Sequence, residues 1–110
     1  NPVAALVCFA LFVRPVLRLL GGGVWPEPRR FFPRADFDFA KKAGRREWLR
    51  GSLADGPAGE PVVRRFARQG SGILSSLTQS DGLIELPEDL TQVWRGERVG
   101  FIPFSELGIG

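Results

Sequence analysis

Five cations fall within one stretch of ten residues, "KKAGRREWLR": Lys41, Lys42, Arg45, Arg46 and Arg50. Guanidinium groups present forked donors that match phosphate and other oxyanions, so this stretch is the first place to look for anion chemistry. A charged hairpin tip kept soluble by its loop lysines accounts for the same composition, and charge alone favours that plainer explanation. In a strand, Arg46 and Arg50 would share a face with Trp48 while Arg45 pointed the other way, which prevents the cluster from acting as a single patch. A second candidate is "QGSG" at 69–72, just ahead of a predicted short helix. Free amides near Ser71 can hold an anion there, with the glycines permitting close approach, or Ser71 can serve simply as an N-cap. The third candidate is aromatic: Phe31, Phe32, Phe37, Phe39, Trp48 and Phe66 interleave with arginines in the manner of barrels that stack single-stranded bases. Phe37 and Phe39, however, alternate with Asp36 and Asp38, and two outward carboxylates would repel phosphate.

Other chemistries drop out. The chain has no histidine, which removes the Ser-His-Asp and Cys-His constellations and leaves no zinc cluster. Its single cysteine, Cys8, lies in an apolar run, so no disulfide can form within the chain and a reducing compartment, the cytoplasm, is expected. Any catalysis would rest on arginine, carboxylate, hydroxyl or backbone groups. The net charge of +3 conceals an asymmetry: residues 29–68 carry +6 and residues 69–110 carry −4. Such a distribution predicts a surface that meets an anion, weighed against an ordinary solvated basic face.

Short elements must position these groups. The chain's 110 residues suit one small domain, its 44% hydrophobic content is ample for a core, and fourteen glycines with nine prolines predict many turns. The apolar run from Val3 to Val13 is eleven residues long, whereas a bilayer span needs about 20, so no membrane association is expected. It also lacks the basic leader and small-residue cleavage site of a secretory signal. Leu6, Ala10, Val13, Leu17 and Leu20 recur at helical spacing up to Gly21-Gly22-Gly23, which predicts a helix kinked at Pro15. Its first turns are apolar all round, and a small barrel behind it would cover one side only. Residues 24–28 then read as a hinge. Beyond it, "RADFDFA" and "GRREWLRGSL" read as strands joined by a "KKAG" hairpin loop, and "ADGPAGEP" as a second turn into "PVVRRFA". "GSGILSSLTQSDG" reads as the short helix, while "LIELP" and "RVGFIPFSEL" are the last two strands, joined through "EDLTQVWRGE" with a turn at Arg95-Gly96-Glu97. The predicted fold class is mainly β: a small C-terminal β-barrel with a short helix over 29–110, preceded by an N-terminal α-helix over 1–23 left from an upstream domain.

Four pieces in register, "NPVAALVCFALFVRPVLRLLGG", "GRREWLRGSL", "GSGILSSLTQSDGLIELPED" and "RGERVGFIPF", resemble the C-terminal part of the molybdopterin molybdenumtransferases, the MoeA and gephyrin E-domain family. In that family a Pro-Gly-Asn-Pro-Val-Ser-Ala turn opens the helix that ends the catalytic domain, and a separate β-barrel follows. Asn1 and Pro2 match the middle of that turn, and Ala4 stands where the family usually has serine. With no methionine anywhere, the chain is therefore expected to begin inside a domain. The resemblance implies insertion of molybdate into adenylylated molybdopterin with release of AMP and the help of magnesium. It also implies a homodimer in which this domain faces the cleft of a second copy. It makes Asn1, Pro2, Arg45, Arg50 and Ser71 cofactor-binding positions. Catalytic residues and metal ligands are expected upstream of residue 1, so neither bound cofactor nor turnover is expected of this piece alone. Two other classes stand beside it: a basic barrel for single-stranded nucleic acid, and a protein-interaction module that docks through its apolar helix.

Overall fold

A computed structural model of the chain describes residues 16, 20–23, 27–66 and 80–107. Val16 and Leu20 are helical. The rest of the predicted opening helix with its kink, the short helix predicted from Gly70, and Asn1, Pro2 and Ser71 lie outside the described residues. Among the described residues there are seven strands, β1 (Arg34–Ala35), β2 (Phe39–Ala40), β3 (Glu47–Asp55), β4 (Pro61–Arg65), β5 (Gly82–Leu86), β6 (Gln92–Val93) and β7 (Gly100–Pro103), with a 3₁₀ turn at Phe104–Leu107. Five of them form one sheet in the order β1-β4-β3-β5-β7, antiparallel except for β1 beside β4, and β2 pairs antiparallel with β6.

The mainly β expectation holds, and its basis is the period of two. Along β3, Leu49 lies opposite Ile84 and packs on the interior, while Trp48 lies opposite Glu85 and Arg50 opposite Leu83 on the outer face; Leu53, opposite Val63 near the strand's end, is exposed. The β3–β4 hairpin predicted from "ADGPAGEP" forms, with the Gly56 amide donating to the Glu60 carbonyl at 2.7 Å and Gly59 at φ +83°, a conformation that favours glycine. The sheet curls until residues 31–35 meet both of its ends. Phe31 and Phe101 exchange backbone hydrogen bonds of 2.9 and 2.8 Å, the Ala35 amide donates to the Glu97 carbonyl at 2.7 Å, and β1 lies along β4. Ala35, Phe37, Val63, Ile84, Leu86, Val93, Val99 and Phe101 fill the inside. On the outer face Leu83, Ile102, Phe104 and Leu107 form a second cluster against which Trp48 packs. Val63, Ile84, Leu86 and Ile102 are fully buried, each side chain contributing about 1.5–3 kcal/mol.

Three local expectations are corrected. "KKAG" is not a hairpin loop, because β2 pairs with β6, and β3 pairs with β4 and β5. The loop instead bonds across to 88–91, through the Lys41 amide to the Thr91 carbonyl (2.9 Å) and the Gly44 amide to the Glu88 carbonyl (2.8 Å). "RADFDFA" keeps its alternation, with Ala35 and Phe37 buried and Asp38 exposed, but it is two short strands broken by a bend at 36–37, where the chain leaves β4 for β6. "RVGFIPFSEL" is a strand only as far as Pro103, after which Phe104 and Leu107 fold down onto the outer cluster. The turn at 94–97 is where it was expected, closed by the Glu97 amide on the Trp94 carbonyl (3.0 Å) with Gly96 at φ +93°.

Candidate functional site

Loop 41–46 is held from inside by its own cations. Lys41 is buried, and its Nζ donates to the carbonyls of Lys42 (2.8 Å), Leu90 (3.0 Å) and Glu88 (3.4 Å), so its charge is satisfied by backbone. Gly44, at φ +95°, turns the chain. Arg46 reaches back to Glu88, with Nη2 at 2.9 Å, and to Glu85, with Nη1 at 3.1 Å. Lys42 and Arg45 remain: both are exposed, and neither forms an ion pair among the described residues. With Phe39, Ala40, Lys41 and Glu47 they line a cavity of about 230 Å³. The arrangement presents two donors to solvent on a loop whose geometry is fixed by its other members, which suits capture of an anionic group.

Behind the loop stands Glu85, a carboxylate in the all-buried strand β5 and itself only 8% exposed. Arg30 clasps it with Nε at 2.7 Å and Nη2 at 3.3 Å, Trp48 Nε1 donates at 3.1 Å, and Arg46 completes the set. Burial pushes the Glu85 carboxyl up. The Arg30 hydrogen bonds and charge, then Trp48 and Arg46, outweigh burial and hold it below the usual carboxylate range. Nearby, Arg29 is tied to Glu106 by its amide (2.9 Å) and guanidinium (3.2 Å). The charge asymmetry along the sequence therefore largely cancels in space: Arg29, Arg30 and Arg46 of the basic half meet Glu106, Glu85 and Glu88 of the acidic half. The expected anion-facing surface shrinks to the cations left over from this pairing.

The sequence candidates separate accordingly. Arg45 lines the cavity, and Arg50 does not. Arg50 lies on the outer face of β3, half-buried, with its guanidinium 5.5 Å from the centre of the Phe66 ring. The two arginines are thus not brought into one pocket: Arg45 stands in the loop ahead of β3, and Arg50 on the strand itself. Arg46 and Trp48 do share a face, since both reach Glu85. Sequence reasoning missed the roles of Lys41, Arg30 and Glu85. A usable signal was present in "LIEL": a carboxylate between apolar neighbours on both sides must be paired if the strand is buried. It also missed Arg65, which lies opposite Gly51 and stacks over the Phe39 ring at 4.7 Å.

The aromatic residues do not form an interleaved stacking face with the arginines. Phe37 is core, Phe39 and Phe66 lie under arginines, and Asp36 is bound by Arg64 (3.0 Å) and Arg95. Exposed Phe31 and Phe32 line a different, apolar cavity of about 450 Å³ with Pro33, Leu53, Pro61, Phe101 and Pro103. Among the described residues no three His, Cys, Asp or Glu side chains gather as a metal site, and no helix is long and apolar enough to cross a membrane.

Residues 34–104 match the family model of the MoeA C-terminal region, domain IV. This chain belongs to that family. It is 33% identical over 108 residues to a molybdopterin molybdenumtransferase of Haemophilus influenzae, covering 97% of this chain and 27% of the relative. It is 35% identical over 112 residues to molybdopterin molybdenumtransferase 1 of Mycobacterium tuberculosis, covering 98% of this chain and 26% of that protein. The chain thus spans about a quarter of the length of these relatives. Among solved structures, the molybdopterin biosynthesis moeA protein of Pyrococcus horikoshii superposes with a TM-score of 0.72 at 30% identity, covering 93% of this chain and 25% of the other. A molybdenum cofactor biosynthesis protein of Pyrococcus furiosus gives 0.71 at 29% identity, covering 94% and 35%. The MoeA-like barrel is the fold on which the anchored loop is built.

Proposed function

We propose that the chain is the C-terminal domain of a molybdopterin molybdenumtransferase, which inserts molybdate into adenylylated molybdopterin. In this proposal residues 1–23 close the preceding catalytic domain, 24–28 are the hinge and 29–110 form the barrel. The enzyme works in the cytoplasm as a homodimer, with this barrel facing the partner's cleft. The observation that carries the proposal is Arg45, exposed and without an ion pair among the described residues, beside Lys42 on an otherwise anchored loop. A cleft that must hold a pyrophosphate and an oxyanion together needs cationic donors that are already placed, since donors that reorganise on binding lose affinity to ordering. Arg45 and Arg50 would orient the anionic groups of the adenylylated substrate, with Ser71, Asn1 and Pro2 completing the wall. Magnesium and molybdate belong to the reaction of the whole enzyme. The described residues offer arginine and lysine where a divalent cation needs clustered carboxylates, so they fit the phosphate and oxyanion and not the metal.

The deciding experiment is Arg45→Ala in the full-length enzyme. Loss of one charge-assisted contact should lower the rate of cofactor assembly by about 10- to 100-fold, with the melting temperature unchanged because Arg45 supports no other described side chain. Arg50→Ala should also weaken assembly, with a small loss of stability from the Phe66 stack. Parallel losses of stability and activity at Arg45 would make it a structural residue and remove the proposal's footing.

A further inference from the structure

We propose that Glu85 is a positioning residue that couples the end of the linker, at Arg30, to loop 41–46, on which Arg45 stands. Two segments distant from it in sequence, one at Arg30 and one at Arg46 and Trp48, converge on this one carboxylate. Arg30 lies two residues beyond the predicted hinge and grips both oxygens, with Nε on Oε1 (2.7 Å) and Nη2 on Oε2 (3.3 Å). Oε2 also receives Trp48 Nε1 (3.1 Å) and lies 3.1 Å from Arg46 Nη1. A carboxylate held bidentately cannot rotate freely, so the fork of Arg30 fixes which oxygen faces Arg46. Arg46 is the residue next to Arg45, and its other contact, Glu88, belongs to the segment whose carbonyl accepts the Gly44 amide. Movement of the linker is thereby transmitted to the loop through a single buried group, while Arg29 on Glu106 holds the same stretch to the 3₁₀ turn. The linker is chemically suited to this role because Glu27, within 3.8 Å of Arg30, offers that arginine an alternative carboxylate when it lets go of Glu85.

The coupling is independent of what the loop binds; that it bears on the cofactor rests on the role given to Arg45 above. Amide hydrogen exchange in this chain reads it directly. Arg30→Gln should speed exchange at the Gly44 amide, and Arg46→Gln should speed exchange at the Phe31 amide, each by about tenfold, with the double variant falling short of the product of the two. The Gly59 amide, bonded to Gly56 in the distant β3–β4 hairpin, should not change. Unchanged or slower exchange at Gly44, strictly multiplicative effects, or an equal change at Gly59 would overturn the coupling. In the full-length enzyme, Arg30→Gln should then raise KM for adenylylated molybdopterin with kcat retained, and Arg30→Lys, which lacks the fork, should not rescue it. Coupling without a KM effect would sink the positioning role. A silent Arg45→Ala alongside intact coupling would instead remove the role of Arg45 and leave the clasp standing.

Discussion

A carboxylate inside a strand is a liability unless every lone pair is answered, and Glu85 shows how the barrel answers it. Its two arginines are each about one-third exposed at the side chain, so they keep part of their hydration while Glu85 gives up nearly all of its own. Folding therefore lowers the Glu85 pKa, and the sign of the pH effect follows. A carboxyl whose pKa falls on folding adds stability above its unfolded value and loses it as pH drops through the lower folded value. Urea midpoints should accordingly hold near neutral pH and begin to fall below the ordinary value of 4.5, where the unfolded chain protonates first; the contribution is gone once the pH passes the lower folded value, where Glu85 takes up its proton and releases Arg30 and Arg46. Glu85→Gln should cost about 2 kcal/mol at neutral pH and flatten the acid decline. An acid profile in Glu85→Gln identical to that of the parent would transfer the effect to two other lowered carboxyls: Glu88, held by Arg46, and Glu106, held by the Arg29 amide and guanidinium.

At the scale of elements, two glycines decide how closely the strands approach. A Cβ on Gly51 would meet the side-chain ends of Ile84 (2.8 Å) and Val63 (2.9 Å), which can shift; a Cβ on Gly82 would meet the Ile102 carbonyl and the Pro103 Cα (2.9 Å), which are backbone. Gly51→Ala should therefore cost about 1–3 kcal/mol and keep the fold, whereas Gly82→Ala should cost more and separate β5 from β7. Denaturant unfolding of the two variants checks the order, and equal costs would show that the β5–β7 contact is as compliant as the interior. The strands themselves were legible as short β-branched or aromatic runs bounded by turn residues, as in "PVVRRFA" and "GFIP", where neighbouring Val62 and Val63, and Phe101 and Ile102, are all buried, and the "ADGPAGEP" turn carries its own stereochemistry. The pairing of β2 with β6 was not legible: two-residue strands have no period, and the partner is chosen by Lys41 feeding its Nζ into carbonyls some fifty positions away. For the same reason the clasp on Glu85 was not legible, and alternation says nothing of Arg45, which stands in the loop ahead of β3. Alternation assigns a face to a side chain but does not name the distant segments that will cover it.

For the whole molecule, closure depends on a stretch with almost no secondary structure of its own. Residues 31–35 exchange five backbone hydrogen bonds with 96–101 and lay β1 against β4, so both edges of the curled sheet end on the same short segment. Without it, β4 and β7 become open edges, and the inward faces of Val63 and Phe101 lose a wall. At about 1 kcal/mol for each bond, before any loss of apolar burial, the deficit is about 5 kcal/mol, comparable with the whole stability of a small domain. A shortened chain beginning at Glu27 keeps this segment together with Arg29 and Arg30, and should melt cooperatively with a dispersed amide spectrum. One beginning at Asp36 should lose both the transition and the dispersion, since Glu106 also loses Arg29 and buried Glu85 loses the fork of Arg30, keeping Arg46 alone. If the shorter chain still melts cooperatively within a few degrees of the longer one, closure by 31–35 is not what holds the barrel, and the linker's grip on Glu85 would have to be read as a consequence of the fold instead of one of its supports.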